Sequence, residues 1–314
     1  MPRKRNPRRG SLGFERKRAS RITPSINWFQ EDEKGEAKII GFAGWKAGMT
    51  RVQYTDTRAQ SATKGKRITK PVTVIDCPDI FIAGVRYYKN SDILGVEWDD
   101  DLPDFISKKI KNLNSSKNID KENVDNVRLF AFSQPDKSGM HKNKPDLFEI
   151  AMSGDVGNKI KKAKELLGKE IKVEDVFEKG SFVDVAGITK GKGFQGVVKR
   201  FHVKVKMRKA EKSHRHVGSI GGVVPQRILW QTPQAGQLGF FNRTELNKKL
   251  LDFGKGEEVT PKSGFKNYGV VPEKYLLIEG SVPAPKKRLI ILRKAARKKK
   301  KIPVELDYIS KDNQ

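Results

Sequence analysis

The chain has 314 residues, 65 Lys/Arg against 37 Asp/Glu and a formal charge of +28, with 36% apolar side chains. That length supports one or two domains with a real core, and the single cysteine, Cys77, excludes an internal disulfide and fits a reducing compartment. No apolar run nears the roughly 20 residues that cross a bilayer, and the basic N-terminus lacks the apolar stretch of a signal peptide, so neither a membrane location nor secretion is expected.

The charge is unevenly spread. Residues 1–21 hold nine Lys/Arg and one acid, residues 186–249 fourteen and two, and residues 286–301 ten and none. The other 213 residues hold 32 basic and 34 acidic side chains, so a near-neutral body carries three cationic segments. This pattern predicts a polyanionic partner. A membrane-surface helix would need an unbroken amphipathic run, whereas residues 1–21 include Pro2, Pro7, Gly10 and Gly13. Nucleic acid fits better, because extended cationic segments follow phosphates and release counterions.

In chain order, residues 1–37 read as a basic extension without a core of its own. Residues 38–80 read as the first part of a barrel, with a strand signal over 38–54 interrupted by Gly41, Gly44 and Gly48 and another at 71–76. Residues 81–180 read as an α/β insertion lobe. It opens with strands at 80–88 and 93–98, then an acidic turn at Asp99, Asp100 and Asp101. Helical spacing follows at Phe105, Ile106, Ile110 and Leu113, and a helix over 158–168 ends at Gly168. Residues 181–197 continue the barrel with a strand at 181–189. Residues 198–249 read as a long basic finger without regular structure, and residues 250–301 as closing strands (275–282, 288–292) with a basic segment. Residues 302–314 form a tail. The fold expected is mainly β with an α/β insertion, and short antiparallel strands favour a closed barrel.

Gly191-Lys192-Gly193-Phe194-Gln195-Gly196 matches the dinucleotide pattern GxGxxG, but the β-branched, cationic VVKRFHVKVK run after it is not the apolar helix such a site needs. A Walker loop is excluded, since Gly193 stands where a hydroxyl residue must follow Lys192. Two readings remain: glycines that admit a sugar-phosphate backbone beside Lys190, Lys192, Lys199 and Arg200, or a plain glycine-rich turn. His202, His214 and His216 sit among Lys212 and Arg215, whose charge disfavours a metal cation, so no metal is expected; stacking on bases or contact with phosphate suits them better. Glu211 and Glu245 are the only acids of residues 186–249, which leaves no nucleophile–base–orienter set, and no enzymatic activity or cofactor is expected. Trp230, between Pro225 and Pro233, is either a core residue or a stacking contact.

Five separated blocks carry a resemblance. PRRGSLGFERKRAS (7–20), GFAGWKAGMT (41–50), GKGFQGVVKRF (191–201), SHR (213–215) and AGQLGFFNRTELNKKLLDFGKG (235–256) resemble, in order, the large-subunit ribosomal protein L-three family in its archaeal and eukaryotic branch. The resemblance covers nearly the whole chain. It implies a six-stranded translation-protein-type β-barrel with a long basic finger and an N-terminal extension, both reaching through large-subunit rRNA toward the peptidyl-transferase centre. Its implied tip is Trp230 with Gln231, near the path by which aminoacyl-tRNA enters. The rRNA-binding set so read is Arg3, Lys4, Arg5, Arg8, Arg9, Arg16, Lys17 and Arg18 in the extension. In the central segment it is Lys190, Lys192, Phe194, Gln195, Lys199, Arg200, His214, Arg215, Arg227 and Arg243. The implied role is a structural constituent of a cytoplasmic ribosome, touching neighbouring ribosomal proteins and indirectly tRNA and elongation factors, with no homo-oligomer. An RNA-modifying enzyme and an extraribosomal RNA-binding factor are the alternatives.

Overall fold

The structure is a computed structural model; it describes residues 17–29, 35–58, 60–90, 92–110, 124–210, 212–224, 226–297, 300–302 and 304–312. β-Branched and aromatic runs set its character, which is mainly β. In chain order the first elements are β1 (Lys38–Ile39), β2 (Gly41–Thr55), β3 (Arg67–Asp76), β4 (Ile80–Lys89), β5 (Asp92–Trp98) and the short helix α1 (Asp104–Ser107). β6 (Asn126–Ser133), β7 (Leu147–Ser153), α2 (Val156–Leu166), β8 (Glu170–Ile171), α3 (Val173–Val176) and β9 (Phe182–Ile188) follow. Then come β10 (Phe194–Gln195), α4 (Val197–Phe201), β11 (Gly236–Gln237), β12 (Asn242–Lys255), β13 (Lys274–Glu279), β14 (Leu289–Lys294) and β15 (Leu306–Ile309).

The chain divides into two compact units. One is Arg21–Ile188 with Arg243–Gln314; the other is Thr189–Asn242 with the N-terminal residues up to Ser20. The larger unit, the body, holds two sheets. The first has strand order β1-β7-β6-β4-β5, with β8 also on β4, and α2 packs against β6 and β4. That helix buries Ala163 and Lys159, whose ammonium donates to Asn126 Oδ1 at 3.0 Å, because a buried cation must find an acceptor.

The second sheet runs β14-β9-β12-β13-β3-β2-β15, and β14 pairs with β2 as well as β9, so a path of six strands returns to its start. Ile290 lies opposite both Gly44 of β2 and Gly187 of β9. Tyr275, Leu276, Leu277 and Ile278 in β13 are all fully buried. A strand covered on both faces reads as a continuous apolar run rather than an alternation.

The three glycines expected to interrupt the first strand do not. β2 runs unbroken for 15 residues through Gly41, Gly44 and Gly48, with one bulge between Lys46 and Gly48. A Cβ at these positions would fall 2.5 Å from the Trp28 ring, 2.6 Å from the Asp76 carbonyl and 2.6 Å from the Phe265 ring. The glycines are close-approach points against neighbouring chain, not breaks. Three further differences follow. The helix expected from Phe105 is the four-residue α1, and Leu113 lies outside the described residues. The segment expected to be an unstructured loop over 198–249 begins inside α4 and ends inside β12. β6 and β7, two short apolar runs of the expected insertion lobe not counted among its strands, lie within the first sheet. The helix at the second site is α2, and Gly168, two residues beyond it, has φ of +74°.

Part of the third cationic segment is core. Arg293 in β14 is 4% exposed and donates through Nε (3.1 Å) and Nη2 (2.8 Å) to Asp184 Oδ2 in β9. The Asp184 carboxylate also accepts from the backbone N–H of Asn247 at 2.9 Å and of Ala296 at 3.1 Å. The Arg293 guanidinium reaches the Asn27 carbonyl and lies 4.6 Å from the Phe29 ring centre. An ion pair this deep persists only when its remaining donors and lone pairs are also used.

Candidate nucleic-acid interface

The smaller unit is built on a short hairpin. β10 and β11 pair antiparallel, Phe194 opposite Gln237 and Gln195 opposite Gly236. Below them Lys192 N–H donates to the Leu238 carbonyl and Leu238 N–H to Gly193, both at 2.9 Å, and Thr189 N–H donates to Phe241 at 3.0 Å. Gly239, at φ +75°, turns the chain so close to the Lys190 carbonyl that no side chain fits there. Gly193 is different: it has φ +66° and open space where a Cβ would stand. The end of the N-terminal extension joins this base. Ala19 N–H donates to the Phe240 carbonyl at 2.8 Å, and the Arg18 guanidinium lies 5.5 Å from the Phe240 ring centre.

Arg200 braces the hairpin. It projects from α4, whose C-terminus is turned by His202 at φ +57°. Its Nε donates to the Gln237 carbonyl at 3.0 Å and its Nη1 to Gln234 at 2.9 Å, and its guanidinium lies 5.0 Å from the Phe201 ring centre. Among the described residues between Lys204 and Gln234 turns replace regular elements. Lys206 N–H donates to the His214 carbonyl at 3.0 Å. His214 Nδ1 lies 3.1 Å from the Met207 carbonyl. An acceptor there requires the proton on Nδ1, which leaves Nε2 of the neutral ring as an acceptor.

Charge and exposure give this unit its chemistry. Residues 189–242 contain eleven Lys/Arg and a single acid, Glu211, which lies outside the described residues. Their charge therefore has no carboxylate to neutralise it among the described residues of the segment. Apolar side chains face solvent as well: of 15 large exposed ones among the described residues, eight lie between Phe194 and Trp230. Phe194 is 78% exposed, Val224 87% and Trp230 56%. A surface that is both cationic and apolar offers phosphates a counter-charge and bases a stacking face.

The residues read from the sequence are distributed as follows. Lys17, Arg18, Lys190, Lys192, Lys199, His214, Arg215 and Arg227 are exposed, while Gln195, Arg200, Gln231 and Arg243 are half-buried. Arg3, Lys4, Arg5, Arg8, Arg9 and Arg16 lie outside the described residues. Trp230 is a surface residue, which removes the core reading for it. Among the described residues no group of three or more His, Cys, Asp or Glu side chains converges, and no helix is long and apolar enough to cross a membrane. Sequence reasoning missed the bracing role of Arg200 and the anchoring role of Phe240. The only trace of the second was the Gly239-Phe240 pair, a glycine directly before an aromatic at a turn.

Comparison with known proteins adds an independent line. The family model described as ribosomal protein L3 matches residues 1–119 and 106–313. The large ribosomal subunit protein uL3 of Methanopyrus kandleri is 42% identical over 98% of this chain and 91% of its own length. That of Archaeoglobus fulgidus is 43% identical over 93% of this chain and 92% of its own. The Methanococcus aeolicus protein of the same name is 41% identical over 100% of this chain and 99% of its own. The five blocks, the cationic hairpin unit and these matches agree, and the chain belongs to the ribosomal protein L3 family.

Proposed function

We propose that the chain is a non-catalytic structural constituent of the large ribosomal subunit, which binds and organises rRNA through residues 189–242 and the basic N-terminal extension. The observation that carries this is the co-location, in one segment, of eleven Lys/Arg, no carboxylate among its described residues, and eight exposed apolar side chains. An isolated globular protein has no use for such a surface, whereas a folded RNA offers it both phosphates and unstacked bases. The relatives' shared name, large ribosomal subunit protein, supports the same assignment.

In this reading the closed six-strand path is the translation-protein-type barrel, and residues 198–249 act as a finger. The body anchors the protein among neighbouring ribosomal proteins. Trp230 and Gln231 form the tip near the peptidyl-transferase centre, so the finger acts on tRNA and elongation factors through rRNA, in the cytoplasm. Lys190, Lys192, Lys199, Arg215 and Arg227 neutralise phosphates, while Phe194 and Trp230 stack or pack. The test is sedimentation of the full chain with large subunits through a high-salt wash. Retention is expected. Stripping by salt would instead identify a loosely bound RNA factor.

A further inference from the structure

The near-neutral charge of the body hides a fourth basic stretch. Residues 57–70 hold five Lys/Arg and no acid, and they span the loop that joins β2 to β3. That loop is built around one carboxylate. Asp56, 1% exposed, accepts from Arg58 Nε at 2.9 Å, from Arg58 Nη2 at 2.8 Å and from the Arg58 backbone N–H at 3.1 Å. It also accepts from the Ser61 and Thr63 hydroxyls, both at 2.6 Å. The loop ends are tied by the Asp56 N–H, which donates to the Lys66 carbonyl at 3.1 Å, and by the Gly65 N–H, which donates to the Asp56 carbonyl at 2.9 Å. A loop held this way keeps its shape before any partner arrives, which removes part of the ordering cost of binding.

Its unspent charge is positive. Lys64 and Lys66 are exposed, and among the described residues neither has an ion pair or a side-chain hydrogen bond. Between them Gly65 turns at φ +74° with open space where a Cβ would stand, so a partner can approach the backbone there. Arg67 and Lys70 reach Asp307 at 3.3 Å and Glu279 at 3.6 Å, partly exposed pairs that contribute little. What the loop lacks selects the partner. Residues 56–67 contain no aromatic side chain and no aliphatic one larger than alanine. A protein partner is gripped through apolar or aromatic anchors, and a base needs a stacking face. Phosphates need only fixed donors and positive charge.

We propose that the β2–β3 loop is a preformed phosphate clamp that holds the rRNA backbone through Lys64 and Lys66 and reads no base. The proposal rests on the rRNA-binding reading above, but its residues belong to the larger unit rather than to residues 189–242.

Binding of the full chain to naked large-subunit rRNA, measured over a range of salt, tests it with no other protein present. Lys64→Ala combined with Lys66→Ala should keep the melting temperature and lower the log–log salt slope by about 1.4–1.8, as for two phosphates. Lys161→Ala combined with Lys164→Ala, an equal charge loss from two exposed lysines of α2, should leave the slope unchanged. Asp56→Ala tests the preformed shape by sign. Charge alone would tighten binding when a carboxylate is lost, whereas an unfixed loop should bind about three- to tenfold more weakly. If Asp56→Ala melts early, the lysine variant alone decides. In intact large subunits Lys64 and Lys66 should also resist acetylation that modifies them in the free chain. Full reactivity there, a slope change no larger than that of the α2 control, or tighter binding by a stable Asp56→Ala chain would overturn the clamp and leave the proposed function standing. Protection in the subunit with an unchanged slope on naked rRNA would assign the loop to a protein partner and overturn the clamp too. A wild-type chain that fails to bind the rRNA would sink the function itself.

Discussion

Residues 189–242 and residues 286–301 look alike as sequence, both dense in Lys and Arg, yet the fold treats them in opposite ways. In the first, the cations stand on a braced hairpin with no described carboxylate of the segment to neutralise them, and apolar side chains share their surface. In the second, Arg293 is buried and locked on Asp184 of the neighbouring strand, Lys286 donates to the Lys266 carbonyl and Arg288 to that of Ile188. What separates them is supply. The body offers acids from distant sequence, and the described residues of the hairpin unit include none. Charge density shows that a segment wants anions, and only the fold shows whether the chain itself provides them.

Four experiments would break or sharpen this contrast. Arg293→Ala should be the most damaging, because it strands Asp184 in the core; loss of a buried pair's partner costs about 3–5 kcal/mol. Urea or thermal unfolding reads this directly, and a cost below about 1 kcal/mol would place Arg293 with the surface cations. Next comes Asp76, a second buried carboxyl of the body. Burial pushes its pKa up to about 6, despite hydrogen bonds from Tyr268 Oη at 2.6 Å and Gly139 N–H at 3.2 Å. The folded state then holds the proton more tightly than the unfolded state. Its contribution is full below about pH 4 and is lost as pH rises through 6, about 3 kcal/mol in all. Asp76→Asn should flatten the pH dependence of stability in that window; an unchanged slope would show that Asp76 ionises normally.

The hairpin unit should answer to different measurements. Replacing Lys204, Lys206, Arg208 and Lys209 by Ala should leave the melting temperature alone and reduce the salt dependence of rRNA binding, by about 0.7–0.9 in log–log slope for each phosphate that is no longer neutralised. A fall in stability instead would mean these cations are structural, like Arg293. Smallest on the fold is Trp230→Ala, within about 0.5 kcal/mol as for an exposed side chain. Its expected effect is on tRNA accommodation by the assembled ribosome, and loss of soluble protein would contradict its surface position.

Much of the body is legible in the sequence. β4, β9, β13 and β14 are dense in β-branched and apolar residues, and burial on one or both faces is what such runs encode. β12 is not legible, because its first half, Asn242 to Lys248, is exposed or half-buried and polar except for the exposed Leu246, and presents no apolar face. The glycines of β2 mislead for a related reason: the groups that require them, the Trp28 ring, the Asp76 carbonyl and the Phe265 ring, lie outside the strand. For the interface, charge and glycine point to the right segment. They cannot show Arg200 spending its donors on the Gln234 and Gln237 carbonyls, since a backbone acceptor leaves no mark in the sequence.

The tie between Ala19 and Phe240 has a consequence in time. During synthesis Phe240 emerges more than two hundred residues after Ala19. At about 5–20 residues per second, this is a delay of roughly ten to forty seconds. Throughout it, the first of the basic segments is outside the translating ribosome while its anchor has yet to be made. The hydrogen bond at 2.8 Å therefore closes only after most of the chain has been made.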